Sequence, residues 1–204
     1  MRPLQRREPV TTRISGGQHR GRSIKTPPFG GLRPTSERVR AAVFSIIGPD
    51  AVEGKRVLDL YAGTGALGID ALSRGAAWAD FVERDGRRCK AISGILAQLA
   101  IEGNARVNLG QVKKALHRLE GPYDLVFADP PYESGELIGL LDDLESLNLV
   151  ADEATIIFEY RSKAEPIEPT GRFSHVTDRR YGDTLITIME AGATDAKSSL
   201  SRNI

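Results

Sequence analysis

Five short apolar runs, separated by longer amphipathic stretches, dominate the chain from Lys55 to Tyr160. "RVLDLYA" (56–62), "WADFVE" (78–83), "ARVNLG" (105–110), "YDLVFAD" (123–129) and "ATIIFEY" (154–160) read as strands. Residues 65–73, 85–100, 112–119 and 135–147 read as the helices between them. Parallel neighbours need a long crossover, and a helix is the usual one. The alternation therefore predicts an α/β fold with a parallel sheet wound on both faces. The end of the chain breaks the pattern. "FSHVTDRRYGDTLITIME" (173–190) reads as two strands around a turn near Gly182, an antiparallel pair that closes the sheet edge.

The segment before this body is different in charge. Residues 1–47 hold ten Arg and Lys against two acids, a net +8 in a chain whose total is +1. Residues 1–11 are expected to be a disordered tail. Thr12 to Lys25 reads as a hairpin with Gly16 and Gly17 at its turn. A Pro/Gly loop follows, and then a helix capped by Thr35 or Ser36. Val39, Val43, Ile46 and Ile47 give that helix an apolar face, with Arg38 and Arg40 off it. Residues 12–50 thus form a basic extension to a body at 51–190, and 191–204 a flexible tail. Arginines interleaved with secondary structure, including Arg13, Arg20, Arg22, Arg33 and Arg38, suit contact with a polyanion better than a solvated tail does.

Composition excludes several classes. The single cysteine, Cys89, rules out an internal disulfide, and the three histidines are far apart, so no metal site is expected. No apolar run approaches the roughly 18 residues that span a bilayer. A cytoplasmic protein without membrane contact is the expectation.

"VLDLYAGTGALG" (57–68) leaves the first strand and enters a helix. Gly63, Gly65 and Gly68 satisfy G-x-G-x-x-G, which alone is a weak signal. Glu83 ends the next strand, where a carboxylate accepts from both ribose hydroxyls of a nucleoside cofactor. A nicotinamide dinucleotide and S-adenosylmethionine (SAM) both fit so far. Asp59 separates them. A carboxylate there faces the ammonium of a methionine moiety and disfavours a pyrophosphate. The candidate cofactor residues are Asp59, Tyr61, Ala62, Gly63, Thr64, Gly65, Glu83 and Arg84, with Gln111 and Val112 after the third strand. SAM, leaving as S-adenosylhomocysteine (SAH), is the expected cofactor. The body then takes a Rossmann-like SAM methyltransferase fold.

"FADPPY" (127–132) carries the chemistry. The fourth strand is expected beside the first, which brings Asp129 to the cofactor. Two prolines make a rigid exit without N–H groups. The Asp129 carboxylate and the Pro130 carbonyl then accept the two N–H bonds of an exocyclic amine. Pro131 stiffens the turn, and Tyr132 offers a stacking face to an unpaired base. Transfer is by positioning, with no covalent step on Cys89.

The chain resembles the RsmD-type 16S ribosomal RNA guanine-N2 methyltransferases over about residues 12–190. "RISGGQHRGRSI" (13–24), "GLRPTSERVRAAVFSII" (31–47), "VLDLYAGTGALGIDALSRGA" (57–76), "FVERD" (81–85), "YDLVFADPPY" (123–132) and "YGDTLITI" (181–188) carry the likeness. The resemblance implies a mostly parallel seven-stranded sheet with an antiparallel last strand. It also implies methylation of one guanine in 16S rRNA, on a 30S subunit or an assembly intermediate; a monomer is the expected state. The basic arm and the Thr35/Arg38 segment would line the RNA and cofactor side of the pocket. Two positions depart from the family: Gly94-Ile95 stands where relatives often have Asn-Leu, and Gln111 where an Asp or Asn often meets adenine. The other readings are methylation of adenine N6 or cytosine N4 in DNA or another RNA, a NAD-dependent oxidoreductase, and a ribosome-assembly factor without catalysis.

Overall fold

The computed structural model describes residues 10–26, 35–130, 137, 139–162 and 167–194. Two strands, β1 (Val10–Arg13) and β2 (Ser23–Thr26), pair as an antiparallel hairpin. Helix α1 (Glu37–Ile47) follows, its first turn capped by Ser36, whose side chain accepts from the Val39 amide at 3.2 Å. The body then runs β3 (Arg56–Leu60), α2 (Ala66–Ser73), β4 (Trp78–Glu83), α3 (Gly86–Leu99), β5 (Ala105–Leu109), α4 (Val112–Leu116), β6 (Tyr123–Ala128), α5 (Leu140–Ser146), β7 (Val150–Arg161), β8 (Phe173–Tyr181) and β9 (Thr184–Ala191).

Seven of these strands make one sheet in the order β5-β4-β3-β6-β7-β9-β8. β3 pairs in parallel with β4 on one side and β6 on the other. β9 is antiparallel to both β7 and β8, so it alone of the seven runs against the rest. The chain winds outward from β3 in one direction to β5, then returns to β6 on its other side. That reversal opens a crevice at the carboxyl ends of β3 and β6.

Strands buried on both faces read as near-continuous apolar runs. Alternate side chains feed two cores. Val57, Ile69, Phe81, Ile92 and Phe127 pack on one face, together with Val43 and Phe44 of α1. Leu58, Leu60, Val82, Val126, Phe158, Leu116 and Leu144 pack on the other, under α4 and α5. Asp80 is buried but satisfied: it accepts from Trp78 Nε1, Asn108 Nδ2 and Tyr123 Oη at 2.7–2.9 Å, tying β4 to β5 and β6.

The N-terminal hairpin is docked onto the body. Ile14 and Ile24 are buried in the first core. The Ser15 amide and hydroxyl both donate to Asp70, at 2.7 and 2.8 Å. The turn closes on the end of α2. Gln18 N–H donates to the Ser73 carbonyl at 2.7 Å, and the Ser73 hydroxyl donates to the Gly16 carbonyl at 2.6 Å. Gly17 has φ +75°, and a Cβ there would collide with that same Ser73 carbonyl.

Arg40 corrects the expectation that it lies off the apolar face of α1. It is fully buried, and its Nε pairs with Asp70 at 2.8 Å. Its other nitrogens donate to Thr12 Oγ1 and to the carbonyls of Arg13 and Thr35. One guanidinium thus joins the hairpin, the start of α1 and α2. A fixed planar fork with five donors suits it to that task.

Four boundaries move. Strand β1 begins at Val10, inside the segment expected to be a disordered tail, because its ladder to β2 reaches Val10↔Thr26. The C-terminal tail begins later than residue 191. Ala191 is buried in β9, and Thr194 donates to Asp152 from both its amide and its hydroxyl. β7 starts four residues before the expected 154. In place of one helix over 135–147, α5 covers 140–146, and residues 131–136 and 138 lie outside the described residues.

Candidate active site

Four acids gather on one face of the sheet, at the carboxyl ends of four adjacent strands. Register sets them there. Asp59 of β3 lies level with Phe81 of β4 and Phe127 of β6. Glu83 and Asp129 come two residues after those phenylalanines, so they share their face. Glu159 of β7 comes two residues after Ile157, the partner of Phe127. Phe127 meets Phe44 of α1 edge to face, with centroids 5.8 Å apart. The four carboxylates therefore sit on the side covered by α1 and α2.

The glycine loop runs between them. Tyr61, Gly63 and Gly65 all have φ between 58° and 72°. Gly65 is the left-handed residue that opens α2. Tyr61 holds this conformation without being glycine, a local strain of the kind found at functional turns. The Gly63 amide donates to Glu83 Oε2 at 2.9 Å, and the Gly68 amide to Asp59 Oδ2 at 2.9 Å. The Gly65 amide closes a turn onto the Ala62 carbonyl at 2.6 Å. Glu83 also accepts from the Asp85 amide at 2.8 Å, and Arg88 lies 3.7 Å from its Oε2. Gly68 is a glycine for packing: a Cβ there would strike the Phe81 ring.

This wiring discriminates between cofactors. A dinucleotide needs the loop amides free to cradle its pyrophosphate. Here two of them are satisfied by carboxylates and a third by the loop itself. The four acids, conversely, outnumber the cations near them, Arg88 beside Glu83 and Arg40 behind Glu159. Burial, with a further push from Glu83, raises the Asp59 carboxyl to about 8 against the pull of the Gly68 amide. Burial first, then repulsion from Glu159 and Asp59, holds the Asp129 carboxyl well above its usual range. Burial also raises Glu159, opposed by the Thr35 hydroxyl and the Arg40 charge. An acidic pocket of this kind fits a ligand bearing an ammonium and a sulfonium.

The expected cofactor residues fall along one side of the crevice. Asp59, Gly63, Thr64, Gly65 and Glu83 are buried around the loop, and Tyr61 and Ala62 are half-buried. Arg84 is exposed just beyond Glu83. Gln111 is exposed at the start of α4 and makes no side-chain cap bond there, which leaves its amide available to a ligand, while Val112 is buried. Leu109 stands between these two strand ends with its side chain in solvent. Asp129 is partly exposed to the crevice and Pro130 is buried; Pro131 and Tyr132 lie outside the described residues. No cluster of His, Cys, Asp or Glu among the described residues suits a metal ion. Cys89 is buried in α3, its thiol raised by burial and directed at the Glu83 carbonyl.

Of the expected substrate residues, Thr35 reaches the site: its hydroxyl donates to Glu159 Oε2 at 2.7 Å. Arg13, Arg20, Arg22 and Arg38 are exposed, and Arg33 lies outside the described residues. Arg20 lies near enough to Arg74 that its charge, after burial and against the pull of Asp70, helps to lower the Arg74 pKa. Sequence reasoning missed two residues, Glu159 and Arg40. For Glu159 the signal was an acid ending the apolar run "IIFE", level with the D-P-P-Y strand. For Arg40 it was the spacing 40-43-44-47, which puts the arginine on the buried stripe.

A match to the family described as "Conserved hypothetical protein 95" spans residues 12–190. The chain is 42% identical over 147 residues to the "Ribosomal RNA small subunit methyltransferase D" of Escherichia coli K12, covering 72% of this chain and 73% of that one. The solved structure of yhhF from Escherichia coli superposes with a TM-score of 0.81 at 32% identity, over 91% of this chain and 100% of that one. SMU.776, solved in complex with SAH, shares the fold, with a TM-score of 0.69 at 14% identity, over 94% of this chain and 58% of that one.

Proposed function

The chain belongs to the family described as "Conserved hypothetical protein 95", the RsmD-type methyltransferases, and from that premise we propose that it uses SAM to methylate the exocyclic N2 amine of one guanine in 16S ribosomal RNA. The observation that carries the reading is the capping of the Gly63 and Gly68 amides by Glu83 and Asp59. It engages two of the amides that a phosphate would use and presents acids to a cationic cofactor.

Glu83 holds the ribose, through the lone pairs its two amide bonds leave over. Asp59 faces the ammonium end, and the Gln111 amide meets the adenine edge. When bound, SAM supplies a methyl group made electrophilic by its positive sulfur. The protein's work is then to hold the amine in line. Asp129 and the Pro130 carbonyl each accept one N–H, which turns the nitrogen lone pair toward the methyl group. The new N–C bond would form as the methyl–sulfur bond breaks and SAH leaves; the amine then sheds a proton, and Asp129 would receive it. Burial and its acidic neighbours raise the pKa of this carboxyl, which strengthens it as a proton acceptor. Tyr132, the residue that follows the two prolines in sequence, would stack on the base.

The exposed Arg13, Arg20, Arg22 and Arg38 neutralise RNA phosphates and add affinity without reading sequence. The substrate is the RNA on a 30S subunit or an assembly intermediate, and the chain acts as a monomer in the cytoplasm. No helix among the described residues is long and apolar enough to cross a membrane. The test is Asp129→Ala. SAM should still raise the melting temperature, as a ligand of the native state must, and NAD should not. Methyl transfer to RNA should be lost. Near-normal turnover in this variant would refute the assignment.

A further inference from the structure

Guanine differs from the other amino-bearing bases at the atom beside the amine. Its N2 amine neighbours N1–H, a donor. The N6 amine of adenine neighbours N1, and the N4 amine of cytosine neighbours N3; both neighbours are bare acceptors. A site that grips only the amine treats the three alike. A second ionised carboxylate beside the first accepts the extra N–H of guanine and repels the lone pair of the others.

The structure has such a carboxylate. Ala128 of β6 pairs with Phe158 of β7, and each is followed by an acid, Asp129 and Glu159. Neighbouring strands lie about 4.8 Å apart, which brings the two side chains to one face of the sheet at one level. Glu159 is only 6% exposed, a position acids seldom occupy without a partner. One oxygen has its partner: Oε2 accepts the Thr35 hydroxyl at 2.7 Å. Among the described residues Oε1 has none. The Thr35 carbonyl is in turn held by Arg40, so the side chain that orients Glu159 is itself fixed.

We propose that Glu159 is the specificity-determining residue of this site, its Oε1 accepting N1–H of the target guanine while Asp129 and the Pro130 carbonyl accept the N2 amine. This rests on the guanine-N2 reading above and adds to it the group that selects the base. The groups facing Glu159 support the ionised form. Thr35 donates to it, and Arg40 favours its charge from behind. Burial works against that charge, while the repulsion between the two neighbouring acids falls on Asp129, whose carboxyl is raised well above its usual range.

The test pairs a base analogue with a conservative variant. 2-Aminopurine keeps the N2 amine but presents N1 as an acceptor. Glu159→Gln keeps the Thr35 bond on its carbonyl oxygen and turns an NH2 donor toward the base. Substrate RNAs carrying guanine or 2-aminopurine at the target position are compared by kcat/KM. The wild-type protein should favour guanine by about tenfold to a hundredfold, the worth of a charge-assisted hydrogen bond. In Glu159→Gln guanine should fall by a similar factor and 2-aminopurine should hold or rise, so that the ratio collapses or inverts. The lost O6 of the analogue affects both proteins alike and cancels in the comparison. Thr35→Val, which frees Glu159 to turn, should narrow the ratio in the same direction and serves if Glu159→Gln does not fold. Equal losses on both RNAs, or a wild-type protein indifferent between them, would overturn the proposal. A wild-type protein that labels no guanine at all would instead refute the functional reading beneath it.

Discussion

Replacing Arg40 by methionine should damage this protein more than any other single change outside the crevice. The guanidinium is fully buried and meets four acceptors: Asp70 Oδ2, Thr12 Oγ1 and the carbonyls of Arg13 and Thr35. Methionine fills much of the volume, so the cost is electrical. It strands the Asp70 carboxylate, 1% exposed, with the two Ser15 bonds and the charge of nearby Arg74 left to support it. Breaking one side of a buried ion pair costs about 3–5 kcal/mol. At about 2–4 °C per kcal/mol for a domain of this size, the melting temperature should fall by about 6–20 °C. Urea unfolding reads the same loss as a lower midpoint at unchanged slope. Adding Asp70→Asn removes the stranded charge, so the double variant should be more stable than the sum of the two single losses predicts, by more than about 1 kcal/mol. A loss below about 1 kcal/mol in Arg40→Met, or strict additivity, would refute the claim that this pair joins the hairpin to the body.

Three further outcomes follow from the site. Gly68→Ala drives a methyl group into the Phe81 ring beside Asp59, so SAM affinity and stability should fall together, by about 1–3 kcal/mol in unfolding free energy. The carboxyl of Asp59, raised to about 8, is protonated at neutral pH without a cationic ligand; the stability it confers is full below about pH 4 and is lost as pH rises to about 8, and a cation that displaces the proton should bind up to about tenfold tighter per pH unit between 6 and 7.5. Calorimetry should show that slope in the wild-type protein and a flat profile in Asp59→Asn. Replacing Arg20, Arg22 and Arg38 together by alanine should weaken RNA binding, lower the salt slope by about two units and leave the melting temperature unchanged; an unchanged slope would remove these arginines from the interface. Point changes serve better here than truncating the hairpin, because Ile14 and Ile24 belong to the core.

The parts of this architecture that depend on local pattern are legible in the amino-acid sequence. Val57, Leu58 and Leu60 form a run that only a doubly covered strand explains, and Gly63, Gly65 and Gly68 mark the turn into a helix. The position of Asp129 opposite the loop follows from the winding rule for such sheets, which the β3–β6 pairing obeys. What depends on pairing between distant elements is not legible there. Glu159 acquires meaning only when β7 is laid against β6, 30 residues away in sequence. Arg40 falls on the buried stripe by its spacing to Val43, Phe44 and Ile47, but the partners that allow a cation there, Asp70 and Thr12, are ones no local pattern brings near it. The wiring of the loop amides is hidden too: the spacing from Gly63 to Glu83 suggests a ribose ligand but not a bond between the two.

The acids at the ends of β3, β4, β6 and β7 should serve SAM-dependent methylation of a guanine amine. Incubating the protein with methyl-labelled SAM and 16S RNA or 30S subunits from a strain lacking this enzyme, then digesting to nucleosides, reads it directly. The label should appear as N2-methylguanosine at a single site and vanish with Asp129→Ala. Label in N6-methyladenosine or N4-methylcytosine, or none in RNA, would contradict the account.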